Sequence, residues 1–150
     1  MMGIIDFLSK KKNEDSWVIA ESKEDGFPIM YRLRTNVPDN IKIDDYPILI
    51  SILWKYESDN TSGMPSDDLH EQQLKLGDAL EKMDNTGIGT MMVAITGNGR
   101  KEWVWYVNNM QDWLKQLIEC LKGHPAYPLD IGESQDYGWQ TWSSIKNGMK

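Results

Sequence analysis

The chain has 150 residues, 40% of them hydrophobic and 26% charged, and carries a formal charge of −7. A chain of that length buries a core without disulfide or metal staples, and its balance of residues is that of a globular domain. The acidity argues against a nucleic-acid binder, which concentrates positive charge to release counterions from phosphate.

The opening "MMGIIDFLSKKK" places its apolar run before its lysines, the reverse of a secretory signal. No apolar stretch approaches the roughly 18 residues that span a bilayer. Ile4, Ile5, Phe7 and Leu8 with Lys10 to Lys12 fit either an amphipathic helix at a membrane surface or a small docked helix or frayed end. The second reading is favoured, because a segment of about ten residues is short for independent membrane binding. Residues 1–15 are therefore expected to precede one α+β domain of residues 16–150. The lone cysteine, Cys120, cannot form an internal disulfide and fits a reducing compartment, so the chain is read as cytoplasmic.

Trp17 to Glu21 and Phe27 to Arg34 read as two strands of a hairpin closed at Gly26. After a surface loop over 35–45, "YPILISILWKY" (46–56) is apolar on both sides of its alternation, as a central strand should be. From Pro65, a helix places Leu69, Leu76, Leu80 and Met83 on one stripe, with Asp67 and Asp68 in its first turn. "IGTMMVAIT" (88–96) and "KEWVWYV" (101–107) are strands joined through Asn98-Gly99, a type I′ hairpin signal. A second helix runs from an Asn108 or Asn109 cap to Gly123 and Pro125, its stripe being Met110, Trp113, Leu114, Leu117, Ile118 and Leu121. "YPLDIGE" (127–133) is the last strand, and the tail "SQDYGWQTWSSIKNGMK" shows no clear period. From residue 46 the order is β-α-β-β-α-β. This is a ferredoxin-like sandwich, an antiparallel sheet with two helices on one face, here with an extra N-terminal β-hairpin.

A two-residue turn at Asn98-Gly99 pairs Ala94 with Trp103, Val93 with Val104, Met92 with Trp105 and Met91 with Tyr106. Met91, Val93 and Ile95 form the more apolar row and are expected under the helices. Trp103 and Trp105 then fall on the open face, with Leu49 and Leu53, and Met30, Arg32 and Arg34 join it. A bare face of that kind is not tolerated by a soluble monomer. The tail with Trp139 and Trp142, a second copy of the chain, or a bound partner or ligand is expected to cover it.

Lys101, Trp103 and Trp105 match in position the Lys/Arg-Gly-aromatic-Gly/Ala-aromatic pattern on which the RNA-recognition motif stacks bases. Glu102 and Val104 at the small-residue positions and Asn108 at the eighth depart from it. His70 and His124 lie in no metal-ligand spacing. Cys120 sits by the apolar stripe of its helix, and a pair with His124 has no third member. Glu24-Asp25, Asp44-Asp45 and Asp67-Asp68 read as solvated turns or dipole partners. "TGNGRK" has no following helix and fails as a phosphate loop. No catalytic residue, metal site or cofactor is assigned.

"DGFPIMYRLR" (25–34), "LWKY" (53–56), "GRKEWVWYV" (99–107) and "QDYGWQTW" (135–142) together resemble the bacterial family called domain of unknown function 695. The likeness covers about residues 16–145 and implies an α+β sandwich with no established activity. The tail "DYGWQTW" is also similar to the end of the ribonuclease E inhibitor family, which implies an acidic protein restraining a basic nuclease or its partner.

These readings favour a non-enzymatic protein-interaction or regulatory module, possessing no nucleic-acid ligand. Trp103, Trp105, Trp139 and Trp142 would anchor a protein partner, with Arg32 and Arg34 as polar contacts. Two alternatives stand beside it. One is a small-molecule binder or enzyme with a pocket between the sheet and the N-terminal hairpin, and the other is a homodimer through the open face.

Overall fold

Two tight hairpins organise the sheet. Asp25-Gly26 (φ 53° and 85°) and Asn98-Gly99 (φ 51° and 79°) both take positive φ at their two central residues, the type I′ geometry that matches strand twist. In the computed structural model, which describes residues 4–5, 17–58 and 62–148, the first turn joins β2 (Trp17–Glu24) to β3 (Phe27–Arg34). The second joins β5 (Gly89–Gly97) to β6 (Arg100–Val107). With β1 (Ile4–Ile5), β4 (Ile48–Lys55) and β7 (Asp130–Gln135) they form one sheet, ordered β1-β2-β3-β5-β6-β4-β7. Every neighbouring pair is antiparallel.

Among the described residues three α-helices complete the α+β fold. α1 (Asp67–Glu81) starts where the Ser66 hydroxyl accepts from the Leu69 amide, and α2 (Met110–Cys120) starts where the Asn109 side chain accepts from Asp112. Such caps satisfy amides that have no partner inside the helix. α3 (Gln140–Asn147) lies in the tail for which no element was predicted. Ile4 and Ile5 are a strand paired with Ala20 and Ile19 rather than part of a helix; the rest of the N-terminal segment, with Phe7 and Lys10 to Lys12, lies outside the described residues. Among the described residues no helix is long and apolar enough to cross a membrane.

The register begins as the turn dictates, with Ala94 opposite Trp103 and Val93 opposite Val104. A bulge at Met92 then shifts the rest, so that Met91, not Met92, faces Trp105 and Thr90, not Met91, faces Tyr106.

The side assigned to the tryptophans is the main correction. Trp103 and Trp105 lie under α1 and α2, clustered with Ile50, Ile52, Leu76, Leu80, Trp113 and Leu117. β4 decides this, because its isoleucine row pairs directly with them, Ile50 with Trp105 and Ile52 with Trp103. The row of Val93 and Ile95 faces the other side, with Val18, Leu33, Val104 and Tyr106. There Trp139 and Trp142 from the tail cover it. Both sides of the central strands are buried, so apolarity alone does not tell them apart. Ile118, expected on the inner stripe of α2, is 65% exposed; five other positions of that stripe already complete its contact with the sheet.

A candidate binding groove beside helix α1

Two helices of roughly 10 Å diameter cover about four strands at a spacing near 4.8 Å. The sheet here is wider than that. α1 packs over the β4–β6–β5 half, and the helix-side surface of the β2–β3 hairpin extends past it. The step between helix and hairpin is a groove.

Strand alternation decides what faces it. Arg32 lies opposite both Ile19 on β2 and Ala94 on β5, and Ala94 in turn lies opposite Trp103. One register further, Met30 pairs with Thr96 and Thr96 with Lys101. The central cavity has a volume of about 320 Å³, with Arg32, Lys101, Ala94 and Trp103 on its sheet side and Gln73, Leu74 and Gly77 on α1. Adjoining hollows of about 230 and 190 Å³ share Arg32 with it and reach Trp17 and Ile19. A volume of that order suits a small molecule.

The polar groups converge on the sheet side. The exposed Arg32 guanidinium lies 4.2 Å from the centre of the Trp17 ring, a cation–π contact that steadies it. Lys101 donates to the Thr96 hydroxyl at 2.7 Å and lies 5.6 Å from the Trp103 ring centre. Among the described residues neither cation lies within ion-pair distance of a carboxylate. Burial, and secondly the Arg32 guanidinium, push the Lys101 ammonium down to about 8, as expected for a desolvated base beside a like charge. Gln73, only 2% exposed, has neither amide atom hydrogen-bonded.

The six residues expected to bind a partner do not form one surface. Trp103 and Trp105 are 2% and 0% exposed, Trp139 and Trp142 are 0% and 5%, and the two pairs lie on opposite sides of the sheet. Trp139 stacks on Tyr106 with ring centres 4.3 Å apart and donates its indole N–H to the Tyr46 carbonyl. Trp142 donates its own to the Arg34 carbonyl. All four rings are core, which removes them as accessible anchors. Arg34 is also buried, its guanidinium donating to Thr90 Oγ1 at 2.7 Å and the Met91 carbonyl at 2.8 Å and pairing with Asp84 at 3.2 Å. Arg32 alone of the six is exposed, and Trp103 is among the residues that line the central cavity.

Gln73 and Gly77 carry no sequence signal of their own, and Lys101 stands out only through its spacing from Trp103 and Trp105. Alternation on β6 places Lys101 on the side of Trp103, but nothing in the sequence marks where α1 stops covering the sheet. His70 is exposed beside Met30 and Met64 in a separate hollow, and His124 Nδ1 lies 2.7 Å from the Tyr127 hydroxyl. Among the described residues no group of three or more His, Cys, Asp or Glu side chains gathers as metal ligands would.

No curated protein and no solved structure matches the chain. A family model does, over residues 15–145, taking in both hairpins, the groove and the tail tryptophans. The chain belongs to the family of unknown function DUF695.

Proposed function

We propose that the protein is a non-enzymatic binding or regulatory module whose recognition site is the groove between α1 and the N-terminal hairpin, taking a small ligand that carries an anionic group. One observation carries this reading: Arg32 and Lys101 sit side by side in a concave site with no carboxylate within ion-pair distance among the described residues. The partly desolvated Lys101 ammonium is repelled by the neighbouring Arg32 guanidinium, and an anion between them relieves that cost. This site, rather than the four tryptophans, carries the reading, because their rings are buried. The strand order β5-β6-β4-β7, with α1 and α2 linking the strands, supports a ferredoxin-like βαββαβ core widened by the hairpin β2–β3. The lone cysteine supports a cytoplasmic setting.

The test is a thermal-shift screen of carboxylates and phosphates against wild type, Arg32→Gln and Lys101→Gln, with Trp17 and Trp103 fluorescence as second readout. A hit that stabilises wild type, perturbs its emission and weakens about tenfold in each variant supports the site. Hits that bind both folded variants as tightly as wild type place the ligand elsewhere and overturn it.

A further inference from the structure

The wall opposite the two cations is acidic. Asp78 and Glu81 line the same 320 Å³ cavity from α1. Both are exposed, and neither lies within ion-pair distance of Arg32 or Lys101. The groove therefore holds opposite charges on its two sides, too far apart to neutralise each other directly. Between them the surface is apolar, with Met91, Ala94 and Trp103 below and Leu74, 51% exposed, at the lip.

Gly77 adds a separate observation. It stands in the middle of α1 with ordinary helical backbone, and a Cβ placed there would meet no atom within 4 Å. Neither backbone geometry nor packing within the chain requires a glycine there, yet glycine weakens a helix interior relative to alanine. Its missing side chain faces the cavity it lines, as expected where a ligand approaches the helix closely. Gln73, one turn earlier on the same helix, brings an amide whose donor and acceptor are both unpartnered, and a buried group left so invites a polar ligand.

We propose that this groove receives a small zwitterion with an apolar body, a free α-amino acid or a dipeptide, its carboxylate between Arg32 and Lys101 and its ammonium against Asp78 and Glu81. This rests on the anion-site reading above and adds the second charge, the apolar middle and the reason for Gly77. A ligand bearing both charges satisfies both walls at once, whereas a simple anion leaves the acidic wall facing a second negative group.

Calorimetric titration of the full chain with L-leucine and with L-leucyl-L-leucine tests it, against N-acetyl-L-leucine, which lacks the ammonium, and L-leucinamide, which lacks the carboxylate. At least one zwitterion is expected to bind about tenfold more tightly than both controls. Whether the free amino acid or the dipeptide wins identifies the source of the charges. Glu81→Gln should erase the preference over N-acetyl-L-leucine, and Arg32→Gln the preference over L-leucinamide. Gly77→Ala should raise the melting temperature while weakening the zwitterion, a split that a purely structural glycine does not produce. Equal binding of L-leucine and N-acetyl-L-leucine would overturn the zwitterion and leave the anion site standing. Failure of all four compounds, while other anions bind at Arg32, would overturn it too. Failure of every anion removes the proposal and the reading beneath it together.

Discussion

Lys101 is the residue whose chemistry is most altered by its place. Its ammonium is shifted from 10.5 down to about 8, first by burial and then by Arg32. Between those two values the unfolded chain binds the proton that the folded chain has released, so folding stability gains as pH rises through that window. Below about 8 the folded state carries the full cost of the charged, crowded lysine. Lys101→Met is accordingly expected to stabilise the protein at neutral pH. Its advantage over wild type should shrink between pH 8 and 10.5, as read from urea midpoints of both proteins across that range. Ligand affinity should move the opposite way, weakening as the ammonium is lost.

At the scale of elements, the tail helix α3 is held by one carboxylate. Asp136 accepts from the Tyr106 hydroxyl at 2.6 Å and from the Gln140 and Thr141 amides at 3.0 Å each. Burial opposes its ionisation, but hydrogen bonds, led by that of Tyr106, outweigh it and hold the carboxyl below its usual value. A depressed carboxylate stabilises the fold above its ordinary value of 3.8, and the gain is lost as pH falls through the lower folded value. Asp136→Ala should cost about 1–3 kcal/mol in chemical denaturation near neutral pH, and its deficit should close in strong acid. The legibility of the elements follows from what each one writes into the chain. Asn98-Gly99 dictates its hairpin because positive φ at two successive positions suits few other pairs. α2 announces itself through the Asn109 cap and an apolar stripe over three turns. α3 offers only Trp139, Trp142 and Ile145 at intervals of three, too short a run for a period to emerge, and it begins on a tryptophan in the left-handed region (φ 53°) that no propensity favours. The bulge at Met92 carries no glycine to mark it. The groove was least legible of all, because it arises from the mismatch between the width of the sheet and the reach of two helices.

Across the whole molecule, Arg34 joins the two sides of the sheet. Its carbonyl accepts the Trp142 indole on the tail side, while its guanidinium lies over the Trp17 ring and reaches Asp84, Thr90 and the Met91 carbonyl. Asp84 receives the Met91 amide as well. Removing one member of a buried ion pair strands the other, so Arg34→Ala is expected to cost about 3–5 kcal/mol. Equilibrium urea unfolding checks this, and a loss well under 1 kcal/mol would show that the ion pair contributes little. β7 closes the opposite end of the sheet. Among the described residues it pairs only with β4, and all six of its own residues are exposed. A free rim of backbone amides and carbonyls is a template for strands of other molecules. Asp130 and Glu133 stand on that rim, so two copies approaching edge to edge bring like charges together. Two carboxylates outside the interior thus guard the edge of the sheet, and replacing both by amides, Asp130→Asn with Glu133→Gln, would favour fibrous self-association while leaving the folded core intact.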